Sequence, residues 1–160
     1  MASLLKVENI AHTNGTTAVS IDSSGRVALP NRPYAFVDFG ATAAYVSHSA
    51  GSILIFDNAM VNDGNHYNTS SGVWTCPVDG LYQVNCSLLS QNANDAYGTQ
   101  VWIDGVKTTR NGTNHRSVSF SNTFKLTATQ TIDIRLSQTM NLYEDTLVNR
   151  YCFAMFIYLG

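Results

Sequence analysis

Apolar and polar residues alternate with a period of two along most of this chain. In residues 80–90, Tyr82, Val84, Cys86 and Leu88 fall on one face, and Gln83, Asn85 and Ser87 on the other. In residues 118–126, Val118, Phe120, Phe124 and Leu126 share a face. In residues 131–137, Ile132, Ile134 and Leu136 alternate with Asp133 and Arg135. Each pattern predicts a strand buried on one side. No stretch repeats apolar residues at the three- and four-residue spacing that a long amphipathic helix needs.

Turn chemistry agrees. Asp104-Gly105 separates Val101-Trp102-Ile103 from Val106-Lys107, which predicts a two-residue hairpin. Asn14-Gly15, Ser24-Gly25, Asp63-Gly64, Asp79-Gly80 and Asn111-Gly112 are further turn candidates. About ten short strands at regular spacing predict an all-β fold, an antiparallel jelly-roll sandwich. The last strand, residues 151–159, is apolar on both faces. One face can fill the core. Leaving the other in water forfeits about 1.5–3 kcal/mol for each large side chain, so the strand is either central and covered on both sides or part of a subunit interface; in a domain this small the expectation is the interface, through Tyr151, Ala154, Phe156 and Tyr158. Residues 1–29 hold three short β-like pieces, 4–10, 18–21 and 26–29, with too few large apolar residues for a core of their own. Pro30-Asn31-Arg32-Pro33 punctuates the chain as a linker, and the sandwich is expected over residues 34–160.

Composition narrows the function. Of 160 residues 44% are hydrophobic, enough for a core, and this excludes a disordered chain. Only 12% are charged, whereas Ser, Thr and Asn together supply 46 residues, so uncharged polar groups carry the surface. A net charge of −2 excludes an electrostatic nucleic-acid binder. No apolar run approaches the ~20 residues of a membrane helix. The opening stretch is short and broken by Lys6 and Glu8, unlike a secretory signal, so synthesis in a reducing compartment is expected. Cys76, Cys86 and Cys152 have no CxxC spacing; they read as small buried apolar side chains, with a disulfide left to geometry.

Four ordered stretches resemble the globular head of the complement first component and its relatives, in the tumour-necrosis-factor-like superfamily. They are Arg32-Pro33-Tyr34-Ala35-Phe36, Ile53-Leu54-Ile55-Phe56-Asp57-Asn58 with the loop Asn62 to Asn68, Gly72-Val73-Trp74-Thr75-Cys76-Pro77-Val78-Asp79-Gly80-Leu81-Tyr82, and Phe153-Ala154-Met155-Phe156-Ile157. The resemblance runs from Arg32 to the end. Met155 stands where the family often has Gly, and no Gly-X-Y stalk is present. The resemblance implies three jelly rolls packed about a threefold axis. In the second stretch it implies a strand ending at Phe56 and a loop starting at Asp57-Asn58. A second resemblance lies in Leu5-Lys6-Val7-Glu8-Asn9-Ile10, Thr13-Asn14-Gly15-Thr16-Thr17-Ala18 and Ile21-Asp22-Ser23-Ser24-Gly25-Arg26-Val27, which look like the start of tail-fibre-like virion proteins of bacteriophages. It implies that residues 1–29 attach to other virion proteins or form a stalk.

The chemistry of single residues is sparse. There is no GxSxG, HExxH, Walker or GxGxxG motif, and the two glutamates, Glu8 and Glu144, make no positioned acid pair, so no enzyme is expected. Asp57, Asn58, Asn62, Asp63 and Asn65 concentrate hard oxygen donors of the kind calcium takes, and some heads of the resembled family hold calcium. No EF-hand spacing is present, and no metal or other cofactor is assigned. Ligand contacts are expected on surface loops at 92–97, 107–116 and 138–145, with Tyr97, Arg110, His115 and Tyr143 as the candidates. The reading is a virion protein, a short fibre or spike whose trimeric head adheres to a host-surface glycan or protein. The alternative is a capsid decoration or trimerisation module without a receptor.

Overall fold

The computed structural model describes residues 7–29, 31–40, 44–91, 97–113, 116–145 and 151–160, with only the backbone described at Tyr97 and Thr113. The chain divides into two units, residues 1–32 and 33–160. In the first, β1 (Asn9–Ala11), β2 (Thr17–Ile21) and β3 (Val27–Ala28) form a small antiparallel sheet in the order β1-β2-β3. Turns at Gly15 and Gly25, both left-handed, join them. The described residues of this unit are exposed or half-buried throughout and enclose no core among themselves.

The second unit carries β4 (Tyr34–Asp38), β5 (Ala44–His48), β6 (Asn58–Asp63), β7 (Tyr67–Asn68), β8 (Val73–Thr75), β9 (Gly80–Leu89), β10 (Tyr97–Ile103) and β11 (Val106–Thr113). It continues with β12 (Ser117–Leu126), β13 (Thr131–Leu136), β14 (Met140–Glu144) and β15 (Phe153–Tyr158). Among the described residues its strands form two five-stranded sheets, β12-β9-β15-β4-β6 and β11-β10-β13-β8-β7, and a ribbon β14-β5, and every pairing is antiparallel.

The core lies between the two sheets. On β9 the inward row is Tyr82, Val84, Cys86 and Leu88, opposite Phe124, Phe120 and Val118 on β12, as the period-two pattern predicts. The other sheet contributes Trp74, Val101, Ile132, Ile134 and Leu136. Across the sandwich Phe156 stacks on Trp74, ring centroids 5.4 Å apart and planes 3° from parallel. Tyr67 adds a third ring 5.4 Å from Phe156. Each buried phenol finds a partner. The Tyr82 hydroxyl donates to the Val78 carbonyl at 2.6 Å, and the Tyr67 hydroxyl accepts from the Phe56 amide at 3.1 Å.

The motif 72–82 has a physical reason at each end. Gly72 holds φ +74°, and a Cβ there would stand 2.6 Å from the Leu54 carbonyl oxygen. Only glycine lets β8 pass so close to the preceding segment. At the hairpin between β10 and β11, Asp104 (φ 50°) and Gly105 (φ 73°) are both left-handed, which is the type I′ geometry. The Asp104 carboxylate accepts from the Thr131 amide at 2.8 Å, tying the turn to β13.

Three sequence expectations are corrected. Residues 53–56 do not form a regular strand. Leu54 donates to the Ile134 carbonyl at 2.8 Å and Ile53 bridges Arg135, so the segment lies along β13 without a continuous ladder. The polar stretch that follows, expected as a loop, is the edge strand β6, because β4 pairs with all of it except Met60, which sits at a bulge. Asn111-Gly112 is no turn. The pair lies inside β11 opposite Thr99 and Gly98, where long-range pairing overrides local turn preference.

The three cysteines are free and buried. Loss of water pushes the thiols of Cys76 and Cys152 up to about 11 from an ordinary 9.0, and Cys86 well above its ordinary value. A thiol with a raised folded value stabilises the fold fully below its unfolded value and loses that contribution as pH rises through the folded one. The urea midpoint should therefore fall steadily between pH 9 and pH 11. A maleimide reagent should leave the native thiols unlabelled at neutral pH and label all three in urea. A flat midpoint over that range, or rapid native labelling, contradicts the placement.

Candidate functional site

Alternation along β15 decides which side chains leave the core. Ala154 and Phe156 point inward and are 0% and 1% exposed within a single chain. They cannot line a subunit interface, which corrects that part of the expectation. The outward row is Phe153, Met155 and Ile157, all half-buried. Register sets these beside β4, with Met155 opposite Phe36 and Ile157 opposite Tyr34. Phe36 and Phe153 meet edge to face at 5.6 Å. Val61 on β6, opposite Phe36, extends the apolar area, and Met60 beside it is exposed.

On the other side of β15 the same face turns polar. Ser87, Asn85 and Gln83 of β9 stand beside Phe153, Met155 and Ile157. They lead to Ser119, Ser121 and Thr123 of β12. Gln83 donates to the Ser121 hydroxyl at 2.8 Å, and the Ser119 hydroxyl lies 3.2 Å from that of Ser87. One sheet face is thus apolar along Phe153, Met155, Ile157, Phe36 and Val61, with Asp38 beside Phe153 and Asp63 beside Tyr34 at its ends, and uncharged polar along Gln83, Asn85 and Ser87 of β9 and most of β12.

The remaining expected interface residues lie elsewhere. Tyr158 packs its ring 5.2 Å from Tyr82 at the base of the sheet. Tyr151, 44% exposed, joins a different cluster. That cluster is an open pocket of about 390 Å³ lined by Tyr45, Leu89, Arg116, Tyr143 and Tyr151. The ribbon β14-β5 sets Tyr143 directly opposite Tyr45. Their rings meet at 5.0 Å, and Tyr143 meets Tyr151 at 5.8 Å, both edge to face. Arg116, just before β12, donates from Nη2 to the Tyr45 hydroxyl at 2.9 Å and from Nε to the Ser90 carbonyl at 3.3 Å.

Of the expected ligand contacts, Tyr143 is in this pocket, although on a strand rather than a loop. Arg110 is on β11, an edge strand, where its Nε lies over Gly98, 3.3 Å from where a Cβ would stand. Tyr97 opens β10, and its side chain lies outside the described residues, as does the whole of His115. Tyr45, Leu89 and Arg116 were not singled out from the sequence. Arg116 falls within a stretch flagged as a loop, but Tyr45 carries no local signal, because only the pairing with β14 makes it a neighbour of Tyr143.

Three side chains of the acidic and amide stretch around β6 are engaged within the fold. Asn62 exchanges hydrogen bonds with the Tyr67 backbone at 2.8 and 3.1 Å, Asn58 donates to Asp38 at 2.5 Å, and Asp57 accepts from the Gly40 amide. Among the described residues no three His, Cys, Asp or Glu side chains gather at one point. Nor is any helix among them long and apolar enough to cross a membrane.

Two antiparallel sheets closed over one core define a jelly-roll sandwich. The chain belongs to the C1q domain family, whose pattern it matches over residues 35–157. C1q domains are generally non-enzymatic structural or ligand-binding modules.

Solved structures share the fold at low identity. Eiger TNF from S. frugiperda superposes at TM-score 0.64 with 10% identity, covering 81% of this chain and 94% of that one. Murine APRIL gives 0.60 with 13% identity over 80% of this chain and 99% of that one. The globular domain of zebrafish complement 1qA protein gives 0.56 with 14% identity over 78% and 94%. A 43-residue stretch, 27% of this chain, is 40% identical to the Mus musculus complement C1q tumor necrosis factor-related protein 2 and spans 15% of that protein's length.

The two faces of β15 make separable predictions. Phe156→Ala should cost about 3–5 kcal/mol of folding stability at any protein concentration, because it empties the stack on Trp74. Met155→Lys should keep the β circular-dichroism spectrum and change only how copies associate. Equal loss of fold in both variants contradicts the assignment of faces.

Proposed function

We propose that three copies of this chain assemble through the outer face of β15, β4 and β6 against the polar half of the same sheet. The resulting head adheres to a host-surface receptor, a glycan or a protein, at the tip of a short virion fibre or spike. Residues 1–29 join it to other virion proteins, and the particle is assembled in the host cytoplasm. The observation that carries the reading is the outward row Phe36, Phe153, Met155 and Ile157. A monomer leaves these side chains only half-covered, and covering each adds on the order of 1 kcal/mol.

The surface suits such a role. It is weakly charged and rich in Ser, Thr and Asn, so it neither steers to nucleic acid nor repels its own copies. Support for the virion setting is the resemblance of the first 29 residues to tail-fibre-like proteins, which join a short attachment segment to a terminal module. Three weak sites on one tip gain avidity through effective concentration, by a factor of about 10² or more.

Adsorption to host cells tests this directly. Purified wild-type protein should bind cells and compete with particle adsorption. Met155→Lys, folded but unassembled, should lose about 100-fold in cell affinity. Wild-type protein that neither binds cells nor slows adsorption, or a Met155→Lys variant that binds as tightly, overturns the reading.

A further inference from the structure

Resting on the adhesive reading above, we infer that the pocket between Tyr45, Arg116, Tyr143 and Tyr151 is the receptor site, and that its ligand is a sugar bearing a carboxylate. The pocket measures about 390 Å³, within the ~300–1,000 Å³ range of small-molecule pockets. Three tyrosine rings set edge to face at 5.0 and 5.8 Å give it walls with both apolar faces and hydroxyl rims. A sugar presents the same combination, with C–H faces and hydroxyl edges.

The charge in the pocket narrows the class. Arg116 is held by two hydrogen bonds, to the Tyr45 hydroxyl at 2.9 Å and the Ser90 carbonyl at 3.3 Å. Those bonds fix the plane of the guanidinium and use two of its five N–H donors, leaving three for a ligand. A planar, pre-oriented guanidinium suits a carboxylate, which accepts two parallel bonds. Because the Tyr45 oxygen accepts from Arg116, its own hydrogen is left to donate to a sugar oxygen.

The nearest carboxylates on the same ribbon are Glu144 and Asp145. Glu144 follows Tyr143 on the strand and so points to the opposite face, where it pairs with His48 at 3.1 Å. Asp145 is half-buried just beyond the end of β14. A neutral sugar would leave the Arg116 donors unused, and an apolar ligand would bury them unpaired, which costs affinity.

Saturation-transfer NMR on the full chain, with glucuronic acid and N-acetylneuraminic acid as probes, tests the inference. Both acids, or one of them, should show transfer, and glucose and galactose should show at least about tenfold less. Arg116→Gln should abolish the acid signal, Arg116→Lys should retain part of it, and Tyr143→Ala should weaken it with the circular-dichroism spectrum unchanged. Equal transfer to neutral sugars, competition by inorganic phosphate as strong as by the acids, or an unchanged signal in Arg116→Gln overturns it. Cell adsorption run in parallel separates the two claims. Adsorption that survives Arg116→Gln removes the pocket and leaves the adhesive head standing. Acid binding without adsorption keeps the pocket and removes the adhesive role.

Discussion

Phe156 on β15 lies against Trp74 on β8 with its ring plane 3° from parallel, and the two belong to opposite sheets. This stack sets the phase of the last strand. Once Phe156 points inward, period two sends Ala154 inward with it and Phe153, Met155 and Ile157 outward. A slip of one residue would push three large side chains into the core and two out of it. The stack holds because Tyr67 and Tyr82 enclose it and Gly72 lets β8 run close enough to present Trp74. The motif and the outer face are therefore two consequences of one packing decision.

The same decision positions the pocket. β15 pairs with β9 on one side and β4 on the other, so Tyr151 before β15 and Leu89 at the end of β9 come to the same end of one sheet. Arg116 arrives there because β12 pairs with β9 along ten residues, from Ser117 opposite Leu89 to Leu126 opposite Gly80. The ribbon β14-β5 then brings Tyr143 and Tyr45 over them.

Much of this was readable in the residues themselves. The alternation of Tyr82, Val84, Cys86 and Leu88 and the Asp104-Gly105 hairpin are local signals, and both stand as read. The doubly apolar character of the last strand was also plain. Its phase was not, because a strand with large residues on both faces looks the same from either side until Trp74 chooses one. The Asn111-Gly112 pair misled for a related reason: turn preference is local, and the partners Thr99 and Gly98 that held it in a strand come from a neighbouring segment. Tyr45 and Leu89 carry no local signal, and Arg116 is marked only as the last position of the expected loop 107–116. Their proximity is a product of three different strand pairings.

The central claim is that the outer face of β15 and β4 is covered by other copies of the same chain. Light scattering on the full chain at two concentrations tests it most directly. The account predicts a mass three times the 17.5 kDa of one chain at both concentrations. A stable species of 17.5 kDa at both would mean that Phe36, Phe153, Met155 and Ile157 remain as a monomer leaves them, and it would contradict the account.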